Sequence, residues 1–324
     1  MGGKGRRDEV QVRRRLLATW SLQGRLRQAA DTEPDRDPHA IERPTSGAYD
    51  APMRLPVAIV QLDATADVDA NVERATALAD EAARGGARLV VLPEYLQYRG
   101  GDDGFRASAR PIPGPYTDAF ADIARRNDAW ILAGSVAEAS DDEARPYNTS
   151  TLIAPDGSIA ARYRKIHLFD VAVDDGPVDT ESARVSPGDE PVCADVDGVR
   201  LGMTICYDLR FPELYRTLAL AGAEVLAVPS NFTERTGRDH WEVLLRARAI
   251  ENGAWVVAPG QAGGPPGQPA FGRSMIIDPW GTVVAQASDG VGIIRADVET
   301  DRVTAVRRQI PSLTNRRPST YRLG

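Results

Sequence analysis

The chain has 324 residues, 42% hydrophobic and 26% charged, which is enough apolar mass for one large core or two ordinary ones. Its net charge of −7 argues against nucleic acid as a partner of the folded body, and no apolar run is long enough to span a bilayer, so no membrane role is expected. Two cysteines, Cys193 and Cys206, are too few for a disulfide framework and point to a reducing, cytoplasmic compartment. Strand-like sequence separates them, which is unlike a metal knuckle.

Residues 1–53 do not read like the rest. The first thirty are basic and can form a short helix around Leu16, Leu17, Trp20 and Leu22, an interaction arm. The next stretch, DTEPDRDPHAIERPTSGAYDAP, is acidic and proline-rich and reads as a disordered linker. Gln23 and Arg25 interrupt the apolar stretch, so it is not a secretory signal, and a twin-arginine reading of Arg13–Arg15 fails for the same reason. The expectation is a flexible, dispensable N-terminal extension.

From Arg54 the pattern is regular. LPVAIVQLDA predicts a buried strand, and DVDANVERATALADEAARGGA an amphipathic helix with Val72, Ala75, Leu78, Ala79 and Ala82 on one face, stopped by Gly85–Gly86. RLVVLPE is a second strand, ending at Pro93–Glu94. TDAFADIARRND is a helix, AWILAGSVAEA a strand, and PYNTSTLIAPDGSIAARYRKIHL a hairpin turning at Asp156–Gly157. VRLGMTICYD predicts a strand running into Cys206; FPELYRTLALAGA is a helix, EVLAVPSNF a strand and HWEVLLRARAIENG a helix. AWVVAPGQ, a hairpin around Pro279–Trp280–Gly281, and GVGIIRADV complete two similar halves of strands covered by helices.

Three strand ends carry reactive groups: Glu94, Lys165 and Cys206. Sites in α/β proteins collect at such ends, although a buried free cysteine is commonly an inert small hydrophobe. The three fit one chemistry. A nearby cation, Lys165, lowers a thiol pKa; Glu94 can take the thiol proton and return it to a leaving amine; the backbone N–H of Tyr207 and the Lys165 ammonium can hold an oxyanion. A Cys–His dyad with His167 is the alternative, since His167 shares a strand face with Lys165. His39 lies in the extension, and His240 opens a helix beside Trp241 in a capping or packing role.

LVVLPEY, YRKIHLFD and GMTICYDLRFPELYR resemble the three signature segments of the nitrilase superfamily, the carbon–nitrogen hydrolases. PYNTSTLIAPDGSI, HWEVLLRARAIENGAWVVAPGQ, GRSMIIDPWGTVVAQA and RRQIPSLTNRRPSTY extend the resemblance, in order, from Arg54 to Tyr321, and are most like the Nit branch. The resemblance implies an α/β fold, a four-layer α-β-β-α sandwich, over residues 54–324. It implies Glu94 as general base, Lys165 as oxyanion-stabilising cation and Cys206 as nucleophile. It also implies a second glutamate before a Pro-Gly, which TESARVSPGDE supplies as Glu181, with Glu190 the weaker alternative. No metal or organic cofactor is implied, and a homodimer through the helix at Phe211–Leu220, or a larger homo-oligomer, is.

ICYDLRFPE is more like Nit and amidase-type members than true nitrilases, which carry Trp-Glu after the cysteine. PSNFTERTGRDHWEVLLRARAIENG resembles Nit1-type enzymes, which the family links to deaminated glutathione, more than Nit2-type omega-amidases. Only AGGPPGQPA, between Gln261 and Phe271, departs, where many relatives place a histidine or basic residue. The expected activity is hydrolysis of a small carboxylate-bearing amide with release of ammonia. His167, Arg210 and Arg273 are candidate substrate-binding residues, with Arg235 and Arg238 behind them. Competing readings are an N-carbamoyl hydrolase, a nitrilase, and a non-catalytic scaffold that uses the basic arm.

Overall fold

The computed structural model describes residues 52–174, 178–264 and 269–321. The expected extension over 1–53 falls, Pro52 and Met53 apart, outside the described residues, as does the middle of the AGGPPGQPA loop.

In chain order the first half contains β1 (Arg54–Gln61), α1 (Val68–Arg84), β2 (Leu89–Val91), α2 (Asp102–Ala107), α3 (Pro115–Asn127), β3 (Trp130–Glu138), β4 (Tyr147–Ile153) and β5 (Ile159–Arg164). A small hairpin of β6 (Asp170–Ala172) and β7 (Val178–Thr180) follows. The second half runs β8 (Val192–Val196), β9 (Val199–Met203), α4 (Pro212–Leu220), β10 (Val225–Ala227), α5 (Glu242–Asn252) and β11 (Trp255–Ala258). It continues with β12 (Ala262–Gly263), β13 (Ala270–Phe271), β14 (Met275–Ile277), β15 (Val283–Gln286), β16 (Gly292–Glu299) and α6 (Thr300–Gln309).

The helices carry their own start and stop signals. Asp67 accepts from the Ala70 amide at 3.1 Å to cap α1, and Gly85 ends it. Pro115 and Pro212 occupy the first turns of α3 and α4, where a missing N–H costs nothing. The one long helix absent from the expected series is α6, whose only fully apolar anchors are Val303 and Val306.

Two six-stranded sheets repeat one plan. The first runs β16-β1-β2-β3-β4-β5, the second β8-β9-β10-β11-β14-β15. In each, three parallel strands form the middle, one antiparallel strand flanks the first of them and an antiparallel hairpin flanks the third. Parallel neighbours require crossovers, and α1, α3, α4 and α5 supply them. β16 leaves the second half to pair with β1 over eight residues, which ties the two ends of the domain together.

Alternation along the strands sets the layers. Val57 and Ile59 of β1 and Leu89 and Val91 of β2 share a core with Leu201, Met203, Val225 and Ala227 of the other sheet. The intervening Ala58, Val60 and Val90 instead pack under Ala75, Ala79 and Ala82 of α1 and Phe120 and Ile123 of α3. Leu214 and Leu218 of α4 and Leu245 and Ala249 of α5 cover the second sheet. The result is the four-layer α-β-β-α sandwich.

At one end the sheets are pinned by Asp197, in the β8–β9 turn, which accepts from the Arg88 guanidinium and from the Trp130 indole N–H at 2.9 Å. At the other end lie the C-terminal ends of the six parallel strands. There Gly134 permits a close approach: a Cβ at that position would lie 2.0 Å from the Pro93 carbonyl oxygen and 2.3 Å from that of Leu92. The turn carrying Glu94 can therefore pack against β3 only because residue 134 has no side chain.

Candidate active site

Glu94 lies three residues beyond β2, and its carboxylate is 1% exposed. Its Oε1 accepts from Asn148 Nδ2 at 2.9 Å and from Lys165 Nζ at 3.0 Å; its Oε2 accepts from the Asn231 amide at 2.8 Å. Lys165 follows β5 directly and donates also to Glu181 Oε1 at 3.1 Å and Oε2 at 2.9 Å. Glu181 follows β7, and its other partners are the Tyr95 hydroxyl and the Phe169 amide at 2.6 Å. The small β6–β7 hairpin thus exists where it delivers this carboxylate. Glu190, the weaker alternative, is exposed.

Cys206 does not end a strand as expected. β9 stops at Met203, and Cys206 opens a 3₁₀ turn with φ +46°, a left-handed conformation costly for a non-glycine residue. Its amide donates to the Pro229 carbonyl at 2.9 Å, and its thiol faces the Glu94 carboxylate. The Asn231 N–H also faces the sulfur. Tyr95, beside Glu94, has φ +56°, so the two turns that meet here are both held in unfavourable backbone conformations. The Tyr207 N–H, next in the 3₁₀ turn, makes no hydrogen bond among the described residues.

The electrostatics follow from one cation among two carboxylates and a thiol. Burial opposes the charge on Lys165, but Glu181 and Glu94 override it and hold its pKa well above the ordinary value. Burial also opposes the charge on Glu181; Lys165, the Tyr95 hydroxyl and the Phe169 amide outweigh it and hold its pKa below the ordinary 4.5. Glu94 is the carboxylate that loses: burial, with Glu181 beside it, pushes it above 4.5 despite Lys165. Burial and then the Glu94 carboxylate drive the Cys206 thiol well above 9.0. Lys165 lowers the thiol pKa as expected, but burial and the Glu94 carboxylate outweigh it, so the net direction favours the neutral thiol.

The remaining sequence candidates separate. His167 leaves the strand face it was assigned to, because β5 ends at Arg164. Its Nδ1 lies 2.7 Å from Asp208 Oδ1 and its ring stacks on Phe211 at 3.6 Å, so the thiol's partner is Glu94 and not an imidazole. Arg210 lies over the rings of Tyr207, at 5.8 Å, and Phe232, at 5.4 Å. Its Nη1 is 3.3 Å from His240 Nδ1, and no carboxylate pairs with it among the described residues. Arg273 pairs with Asp289 at 2.9 Å and Arg238 with Glu234 at 3.0 Å; Arg235 is exposed. A surface cavity of about 500 Å³ between α3 and the β4–β5 turn contains none of these groups.

Four residues of the cluster were not singled out from the sequence: Asn148, Asn231, Gln261 and Asp208. Gln261 Nε2 donates to the Glu94 carbonyl at 2.9 Å, and its Oε1 accepts from Ala64, joining the rims of the two sheets. Asn148 has no exposed surface although β4 reads as a strand, and a polar side chain at a fully buried strand position is the signal that marks it.

Comparison with known proteins agrees with the fold. The carbon–nitrogen hydrolase family model matches residues 56–308, and the chain belongs to that family. It is 44% identical over 263 residues to a deaminated glutathione amidase from Synechocystis sp., covering 80% of this chain and 97% of the relative. It is 36% identical over 266 residues to the omega-amidase NIT2 of Homo sapiens, covering 82% and 96% respectively. The C. elegans NitFhit crystal structure superposes with a TM-score of 0.78 at 36% identity, with 83% of this chain matched to 66% of that one. The protein is a carbon–nitrogen hydrolase of the nitrilase superfamily.

Replacing Lys165 with Met leaves Glu94 and Glu181 buried together without a cation. The expected loss of stability at pH 7.5 is about 3–5 kcal/mol. Without the lysine both carboxylates bind protons more tightly folded than unfolded, so the loss shrinks as the pH falls towards 5. Urea unfolding at the two pH values checks this; an equal loss at both would mean that the two carboxylates do not share one charge.

Proposed function

We propose that this chain hydrolyses a small, linear, carboxylate-bearing amide and releases ammonia through a thioester on Cys206. The observation that carries the reading is the buried hydrogen-bonded set Glu94–Lys165–Glu181 with the Cys206 thiol against Glu94.

Glu94 takes the thiol proton as the sulfur attacks the amide carbon. The oxyanion forms against the Tyr207 N–H and the Lys165 ammonium, one of whose N–H groups turns to it from the second Glu181 oxygen. Collapse expels ammonia, which leaves with the proton held by Glu94, and a thioester remains. Glu94 then removes a proton from water, the hydroxide attacks the thioester, and the returned proton regenerates the thiol. Glu181, held ionised, keeps Lys165 charged and aimed throughout.

Two observations support the substrate class. Glu94, Lys165 and Glu181 are at most 2% exposed and Cys206 8%, so the four groups lie in a nearly closed site, which suits the slender end of a linear amide. Arg210, with no carboxylate partner among the described residues and braced by two rings beside the nucleophile, suits a distal substrate carboxylate. The relatives named for deaminated glutathione and for omega-amides put those amides at the head of any test. Two free cysteines fit the proposed cytoplasmic location.

A homodimer is part of the same proposal. α4 packs beside α5, on which Val243 and Ile250 are 66% and 50% exposed, with Trp280 at 48% exposure in the β14–β15 turn. This apolar face suits a second copy of the chain. Val243→Glu with Ile250→Glu is expected to yield monomer in light scattering; wild-type monomer would end the dimer reading.

The activity is tested by ammonia release from 2-oxo-acid amides, deaminated glutathione, N-carbamoyl amino acids, simple nitriles and a neutral amide. Cys206→Ala and Glu94→Gln are expected to lose at least about 10³-fold in kcat on the best substrate. Arg210→Ala should raise KM for the carboxylate-bearing amide about tenfold and leave the neutral amide unchanged. Normal turnover by Cys206→Ala overturns the mechanism; a nitrile or carbamoyl compound as best substrate overturns the amide class. Glu94 must be unprotonated to act, so kcat/KM should rise with pH through a limb lying above the ordinary carboxylate value of 4.5. A limb at or below 4.5 would remove Glu94 from the base role.

A further inference from the structure

Asp208, two residues after Cys206, has no exposed surface and no lysine or arginine partner among the described residues. Its Oδ2 accepts from the Ile205 amide at 2.8 Å and the Tyr163 hydroxyl at 2.7 Å. Its Oδ1 accepts from the His167 amide at 3.1 Å and faces His167 Nδ1 at 2.7 Å. Ile205 immediately precedes Cys206, whereas Tyr163 and His167 stand two residues either side of Lys165. One carboxylate therefore joins the turn of the thiol, which leaves the second sheet, to the segment of the ammonium, which leaves the first.

The surrounding bonds make this a closed brace. The Asp208 amide donates to the Ile205 carbonyl at 3.1 Å, and the Phe211 amide to the Asp208 carbonyl at 3.0 Å. Phe211 in turn stacks on His167, with ring planes 7° apart. Cys206 at φ +46° needs such restraint, since the conformation is one its own side chain disfavours. Packing alone would be served by an apolar residue, because a buried carboxylate costs free energy unless donors around it need an acceptor.

We infer that Asp208 is the positioning residue of this site, fixing the Cys206 sulfur against Glu94 and Lys165; the inference rests on the amidase reading above. An asparagine at 208 keeps the shape but turns an NH2 towards one pair of donors, which opens one side of the brace.

The test uses Asp208→Asn and Tyr163→Phe in the full chain, with kcat and KM on the best amide. Alkylation of Cys206 by iodoacetamide is measured with and without Glu94→Gln; it needs no substrate, so it stands even if the amidase reading fails. Asp208→Asn should lower kcat about 100-fold with KM nearly unchanged, as a misplaced nucleophile does. Glu94→Gln should slow alkylation in the wild-type background and make almost no difference in Asp208→Asn, whose thiol no longer faces the base. A folded Asp208→Asn with wild-type kcat, or with the full Glu94→Gln effect on alkylation, overturns the inference. If Asp208→Asn does not fold, Tyr163→Phe decides, since it deletes one bond: a loss of about fivefold in kcat is expected, and an unchanged kcat overturns the inference.

Discussion

One ammonium group buried between two carboxylates is the constraint on which the rest of this structure depends. Lys165, Glu94 and Glu181 are each at most 2% exposed, and removing such groups from water is costly unless every charge meets a partner of good geometry. The set meets that condition with Asn148, Asn231, Tyr95 and Phe169 as additional donors. One positive charge cannot neutralise two negative ones, so the carboxylates divide unequally. Glu181, with the stronger donors, stays ionised, and Glu94 is left with a raised affinity for protons beside a thiol that has one to give. A neutral thiol beside a carboxylate with raised proton affinity is the arrangement that the proposed general-base role of Glu94 requires.

The fold builds this set by using one plan twice and letting the two rims meet. Glu94 comes from the turn beyond β2 and Lys165 from the end of β5, both in the first sheet; Cys206 and Asn231 come from the turns beyond β9 and β10 in the second, and Glu181 from the small β6–β7 hairpin. Gln261 and the amide of Asn231 reach across to Glu94, so the relative placement of the two sheets is part of the site's chemistry. Closeness also explains the left-handed backbones at Tyr95 and Cys206 and the glycine at 134: each admits a chain approach that an ordinary residue or conformation would block.

Much of this was legible in the sequence, because it depends on local pattern. Period-two and period-3.6 apolar spacing locate the central strands and the main helices, and the three signature strings place Glu94, Lys165 and Cys206. What depended on contacts distant in sequence was not legible. The pKa of Cys206 was read from a neighbouring cation, whereas burial and the Glu94 carboxylate set its direction. His167 was placed on a strand face, but the chain leaves the sheet after Arg164 to reach Asp208, 41 residues away. Asp208 reads as an ordinary turn aspartate in CYDLR; only the fold makes it the junction of two strand ends. α6 is highly charged and buries only Val303 and Val306 among its apolar residues, so little apolar sequence marks it.

The unequal division of charge is open to direct observation. Protein labelled with ¹³C at glutamate carboxyls, with the two resonances assigned through Glu94→Gln and Glu181→Gln, can be titrated by NMR. The account predicts that Glu94 titrates above 4.5 while Glu181 remains ionised below it. The reverse order, with Glu94 the lower of the two, would contradict the assignment of Glu94 as the group that receives the proton of Cys206.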